Sequence, residues 1–271
     1  MKDKVFKWLL GCSALALLFL MAGVVYLLVS QSLPAFKHFG FLSFITSLEW
    51  DSGEDKYGAF SFIAGTLLTS VLALLICIPF SISIALFNGE FFKGRKVAVW
   101  LTTIVDLLSG IPSIVLGIWG YYSLRPLLML LNIGDYGCGV LTTAIVLAIM
   151  IIPYAASLST VFISKVPKSL KEGAYGLGAT QWEVIRRVSI PFASRGIWAA
   201  YMLSFGRVLG ETMVVVIMMG RGNTMTSVIL NQFGTSGDLK LSALLAIALL
   251  LFLVTAVINL VARSMIRRVA L

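Results

Sequence analysis

Four stretches of this chain contain no Asp, Glu, Lys or Arg: Trp8–Phe36, Tyr57–Gly89, Tyr136–Ser164 and Leu241–Ala262. A helix that crosses a bilayer needs about 20 mostly apolar residues, so each stretch is long enough to span. Val97–Leu124 holds one charge, Asp106, and Gly196–Gly220 holds two, Arg207 and Glu211. The pattern predicts an all-α membrane protein with six transmembrane helices, at about 8–30, 60–87, 97–121, 138–162, 197–219 and 241–262. Charged residues make up 12% of the chain, against about 25% in soluble domains. That composition excludes a disordered chain and argues against a soluble globular enzyme.

Lys2, Lys4 and Lys7 precede the first apolar run. A cleavable signal core is only about 7–15 residues long, so this longer run is expected to stay as a span. Of the 21 basic residues, 15 fall in the N-terminus, the loops 88–96 and 163–195, and the C-terminus. The three intervening loops hold five (Lys37, Lys56, Arg125, Arg221 and Lys240), and Arg207 lies inside a span. The bias puts both termini in the cytoplasm of a multi-pass cell-membrane protein. It also explains the net charge of +9 through anionic lipid headgroups, without nucleic acid. The three cysteines (Cys12, Cys77, Cys138) and the single His38 form no CxxC or Cys/His metal pattern. No Ser/His/Asp set or carboxylate pair suggests a membrane-bound enzyme.

The first external loop, about 31–58, divides in two. Leu33–Leu48 is apolar enough to lie along the membrane surface, and Glu49, Asp51, Glu54 and Asp55 make the rest acidic. Pro79, Pro112 and Pro153 each remove a helical donor. Ser109-Gly110-Ile111-Pro112-Ser113 is the strongest break, expected where protein or trapped water satisfies the freed carbonyls. In the loop 163–195, Thr180 three residues before Glu183 has the spacing of a capping box. Two short amphipathic helices joined near Gly178 are expected there, suited to a membrane surface or a protein groove.

Arg207 and Glu211 are four residues apart, which on a continuous helix puts them on one face where they can pair. Charges at mid-membrane are costly and mark function by default. Guanidinium is matched to an oxyanion, with Glu211 holding Arg207 when no anion is bound; a static bridge is the structural alternative. Gly206 and Gly210 offer close approach to another helix. Asp106 is a weaker candidate, to pair with Arg207 or to cap the break near Pro112.

The 163–195 loop resembles the cytoplasmic loop of ABC importer permeases, whose pattern is E-A-A, three residues, G, nine residues, I-x-L-P. Glu172, Gly173 and Ala174 stand for E-A-A, Gly178 is the spaced glycine, Val188 and Ile190 take the I and L positions, and Pro191 closes the motif. Gly173, Val188 and Ile190 are departures, all small or apolar. Arg207-Val208-Leu209-Gly210-Glu211-Thr212-Met213 resembles the R-A-L-G-E-T-M signature of phosphate-specific permeases. Trp50-Asp51, Tyr57-Gly58, Phe62-Ile63 and Gly65-Thr66-Leu67 resemble the same family's W-x-P…F-G…F-I-x-G-T-L pattern, with Ser52 for the proline, and Ile111-Pro112-Ser113 also matches. Of that system's two paralogous permeases, the C-type fits best.

The resemblance implies a type I ABC importer permease fold. Residues 1–58 would form an anchor helix and external loop, and 59–271 a five-helix core with the coupling loop 163–195. It implies a second permease, two ATPase subunits and an external phosphate-binding protein as partners. Gly-Lys never occurs, so there is no P-loop. This chain is therefore expected to bind no cofactor, with ATP and Mg on the partner ATPases. The translocation residues are expected to be Arg207, Glu211 and Asp106. A permease for another oxyanion (sulfate, molybdate) and an ion-driven secondary transporter remain alternatives; the latter often shows internal repeats, which this sequence lacks.

Overall fold

The structure, a computed structural model, describes residues 2–131, 137–219, 224–235 and 237–267. Arg221 and Arg268, counted above among the cations, lie outside them. The chain opens with α1 (Lys2–Phe39), α2 (Phe41–Thr46) and a small hairpin of β1 (Trp50–Asp51) and β2 (Lys56–Tyr57). Then come α3 (Phe60–Leu86), α4 (Lys96–Ser109), α5 (Ser113–Trp119), α6 (Arg125–Leu130) and α7 (Val140–Ser164). The second half holds α8 (Lys168–Gly176), α9 (Gln181–Val184), α10 (Ile190–Leu209), α11 (Met213–Met219), α12 (Met225–Gln232) and α13 (Asp238–Arg267). Wider π-helical turns join α3 to its tail at Phe87–Phe91, α5 to α6 at Gly120–Leu124, and α9 to α10 at Ile185–Ser189.

Among the described residues, five helices are long and apolar enough to cross a bilayer, and a bent pair makes a sixth crossing. The all-α, six-span expectation stands, but several boundaries move. α1 runs on to Phe39 instead of ending near residue 30. The third crossing is not one helix over 97–121. It stops at Ser109, turns at Pro112 (φ −58, ψ 137) and restarts at Ser113, and its apolar part extends to Leu130. Pro79 and Pro153 lie inside unbroken α3 and α7. The extended ψ at Pro112, absent at the other two, decides where the helix ends.

α7 is central: half of its most apolar window is buried, against none of α1's. Ala73 and Cys77 of α3, Leu147 and Ile151 of α7, Ile197 of α10 and Met218 of α11 share one apolar core. A second core gathers Phe44, Tyr57, Phe62, Leu244 and Ile247 at one end of the bundle. That end corrects the reading of Leu33–Leu48 as a surface-lying segment. Gly40 (φ 78) turns the chain back, Phe44 is fully buried, and Phe36 meets its ring edge to face at 5.6 Å. Trp50 continues the cluster against Tyr57 (4.9 Å) and Phe62 (5.0 Å) and donates to Gln232 Oε1 at 3.1 Å. The acidic tip stays exposed, with Lys56 paired to Glu54 and Glu49 at 2.8 and 3.7 Å.

Pro34 weakens α1 from within, and Ser242 of α13 repairs the next bond. Its hydroxyl accepts from Ala35 N (3.0 Å) and donates to Gln31 O (2.7 Å), so it stands inside the i to i−4 ladder. This contact joins the end of α1 to the start of α13, so the two helices run antiparallel.

At the opposite end, Lys93 Nζ donates to Ser164 O at 2.9 Å and Lys171 meets Glu90. The loops 88–96 and 163–195 therefore share one end of the bundle, as the charge bias requires.

Gly196 of α10 lies under Phe162 of α7, where an added Cβ would come within 2.3 Å of the ring. Overpacking such a contact costs about 1–3 kcal/mol. Gly196→Leu is expected to lower the thermal midpoint of the detergent-solubilised protein by several degrees. Gly173→Ala, whose Cβ would meet nothing within 4 Å, is expected to leave it unchanged or slightly raised.

Candidate functional site

The fifth crossing is broken where its charged residues lie. α10 ends at Leu209, Gly210-Glu211-Thr212 is not helical, and α11 starts at Met213 with its axis turned by 61°. The expectation that Arg207 and Glu211 share one continuous helical face is therefore corrected. The i to i+4 geometry needs an unbroken helix, and this one stops between them. Among the described residues no carboxylate lies within ion-pair distance of Arg207, and no cation within that distance of Glu211 or Asp106.

Arg207 is exposed in the last turn of α10. A cation there is favoured by the partial negative charge of the helix C-terminus. Its guanidinium lies 5.4 Å from the ring centre of Tyr154 on α7. Such a cation–π contact is worth about 0.5–2 kcal/mol and orients the group without neutralising it. Glu211, half-buried, sits on the far side of the break, where Thr212 O accepts from Val216 N at 2.9 Å to start α11. In a bilayer, irregular backbone is tolerated only where protein or a wet cavity satisfies it. Gly210 and Met213 are exposed, so the break faces a surface rather than the packed core.

The third crossing repeats the arrangement. Asp106 stands shortly before the Gly110–Pro112 break, exposed, in a groove of about 570 Å³ that Thr103, Leu107, Gly110, Ile111 and Pro112 also line. It does not cap the break with its side chain. Its backbone carbonyl does, accepting from Ser109 Oγ (2.7 Å) and Gly110 N (3.2 Å). The helices that follow the two breaks pack together. A Cβ on Gly117 would meet Ile217 and Val214, and one on Gly120 would meet Met218. Contacts advance in the same direction along both, so α5 and α11 run parallel and the two breaks lie at one end of the pair. Asp106 and Arg207 each precede their own break.

Gly206 does receive a close neighbour, Asn259 of α13, whose Oδ1 would lie 2.8 Å from an added Cβ. Gly210 does not; a Cβ there would meet only the Arg207 carbonyl at 3.8 Å. Its place in the break, not helix contact, accounts for it. Sequence reasoning missed Tyr154 and Asn259, because nothing in their local pattern tells which helix faces α10.

The loop 163–195 forms the two short helices expected. α8 and α9 are joined through Gly178 in the left-handed region (φ 83). The capping box is complete: Thr180 Oγ1 accepts from Glu183 N at 3.4 Å, and Glu183 Oε2 accepts from Thr180 N at 2.9 Å. Glu172, Gly173 and Ala174 lie on α8, which has no buried residue. Val188 closes the π-helical turn with Ser189, and Ile190 and Pro191 open α10. Leu177 at the tip is 91% exposed and Trp182 58%. The projection at the basic end of the bundle thus carries exposed apolar side chains at its tip.

A family profile described as "Binding-protein-dependent transport system inner membrane component" matches residues 77–271. The chain is 39% identical to the Phosphate transport system permease protein PstC of Mesorhizobium japonicum, across 98% of its own length and 90% of that relative's. It is 36% identical to the protein of the same description in Haemophilus influenzae, across 98% and 93%. The crystal structure of a bacterial alginate ABC transporter, in complex with a pentasaccharide-bound periplasmic protein, contains a chain of the same fold. The TM-score is 0.65 at 20% identity, covering 99% of this chain and 97% of that one.

If the break at 210–212 is wet, a hydrophilic thiol reagent will find it. In a chain with Cys12, Cys77 and Cys138 replaced, Gly210→Cys and Thr212→Cys are expected to react in membranes at least about tenfold faster than Val215→Cys, because thiolate chemistry needs access to water. Val215 is 4% exposed. Equal rates would show a dry break.

Proposed function

This chain belongs to the family of binding-protein-dependent transport system inner membrane components, and we propose from that premise how it moves its substrate. It is a multi-span permease subunit of an ATP-driven importer for inorganic phosphate. The observation that carries the substrate is the 36–39% identity, over nearly the whole length, to phosphate transport system permeases.

We infer the following arrangement. The basic end with loops 88–96 and 163–195 is cytoplasmic, as are both termini. A second, related permease completes the path, and two ATPase subunits hold ATP and Mg and receive the loop 163–195. An external phosphate-binding protein docks at the opposite end. Residues 1–58 act as anchor and external loop around a five-helix core of 59–271. Hydrolysis belongs to the ATPases, since this chain lacks a P-loop.

Within the path, Arg207 supplies the charge that makes an anion's passage through low dielectric possible. Its fork of donors fits a tetrahedral oxyanion, and no carboxylate among the described residues pairs with it. Glu211 and Asp106 place negative charge near each break, which keeps the anion from being held too tightly. Binding must be strong enough to enter and weak enough to leave. Exposure of Arg207 at the broken helix supports this reading.

Arg207→Gln is expected to lower labelled-phosphate uptake in proteoliposomes by at least about tenfold, a loss of about 1.4 kcal/mol or more. Co-purification of the ATPases should be unaffected; full uptake by the mutant would refute the role. Excess sulfate is expected to leave phosphate uptake intact, whereas equal competition would favour a general oxyanion permease. Gly178→Asp is expected to release the ATPases from the membrane subunits, because a Cβ there meets nothing within 4 Å and the new charge therefore projects into the proposed docking surface.

A further inference from the structure

Glu90 and Lys171 form an ion pair at 2.5 Å with side chains only 10% and 14% exposed. Ion pairs this enclosed are poor sources of stability, because desolvation offsets the Coulomb gain. What they fix is geometry. α8, which supplies Lys171, has no buried residue, so apolar packing does not hold it to the bundle. Glu90 belongs to the π-helical turn Phe87–Phe91 that ends α3, and its neighbours Asn88 and Gly89 are buried. A Cβ on Gly89 would lie 2.8 Å from Ile163 of α7, and Lys93 grips the Ser164 carbonyl. The turn is thus wedged against the end of α7, and the pair extends that wedge to α8.

Phe60–Phe91 is a 32-residue apolar helical segment, roughly 48 Å long at 1.5 Å per residue. Its far end lies in the aromatic cluster of Trp50, Tyr57 and Phe62. Along its length it packs on α7, which carries Tyr154 under Arg207. A displacement of α8 therefore has a charged joint through which to move a rod that reaches the opposite face. The two turns nearest this joint, 87–91 and 185–189, are π-helical, a geometry common at functional sites. Each holds a buried polar atom with no hydrogen-bond partner among the described residues, Asn88 Oδ1 and Ser189 Oγ.

We propose that Glu90 and Lys171 are positioning residues of the coupling step: their pair makes the loop 163–195 and α3 move as one piece. The proposal rests on reading that loop as the ATPase contact. The complete complex, reconstituted in proteoliposomes, tests it through phosphate uptake, ATP hydrolysis and subunit co-purification measured on the same samples. Glu90→Gln and Lys171→Met are each expected to lower phosphate moved per ATP hydrolysed by about tenfold, within the usual range of coupling effects. The ATPases should stay bound and active. Lys171→Arg, and the exchange Glu90→Lys with Lys171→Glu, are expected to restore most of the ratio. An unchanged ratio in both single variants, an exchange no better than either of them, or loss of the ATPases from Glu90→Gln would overturn the proposal. Gly178→Asp separates the two readings: if that complex keeps its ATPases and its uptake, the docking reading itself has failed.

Discussion

In hydrocarbon every backbone N–H and C=O needs a partner, and a continuous helix is the simplest way to give it one. Among the described residues two crossings are interrupted, the third at Gly110–Pro112 and the fifth at Gly210–Thr212, and both breaks are followed by short helices that pack on each other. The remaining architecture can be understood as support for these two interruptions. α3, α7 and α10 form a core tight enough that added atoms collide, as at Gly196 and Phe162. α13 closes against α10 at Gly206, and α1, with no buried residue in its most apolar window, stands outside.

The electrostatics follow the same division. Most cations lie at one end of the bundle, where they favour anionic lipid and an inside orientation. Arg207 stands apart from that end, in the last turn of α10 at the break of the fifth crossing. At the surface an unpaired arginine means little. At an exposed helix break, beside Tyr154 and with no carboxylate at ion-pair distance among the described residues, its charge stays available. The role proposed for Arg207 in anion passage rests on that charge, and the relatives described as phosphate transport system permeases name the anion.

Much of the fold was legible in the sequence because long charge-free runs have few alternatives. The Pro112 break, the capping box at Thr180 and Glu183, and the Gly178 hinge were equally legible, since each depends on local backbone chemistry. What was not legible depended on tertiary neighbours. The spacing of Arg207 and Glu211 suggested a pair only under the assumption of an unbroken helix, and Gly210 with Thr212 ended it. Leu33–Leu48 looked interfacial because nothing local shows what covers its aromatics; Tyr57, edge-on to Phe39, and Leu244 and Ile247, in one core with Phe44, come from distant elements. Glu90 and Lys171 are 81 positions apart, beyond any local pattern.

The account depends most on the side of the membrane occupied by the bend between the fourth and fifth crossings. A single cysteine at Leu177, in a chain with Cys12, Cys77 and Cys138 replaced, reports it directly with a membrane-impermeant maleimide. The account predicts labelling in inside-out vesicles and none in intact cells. Labelling from outside intact cells would contradict it.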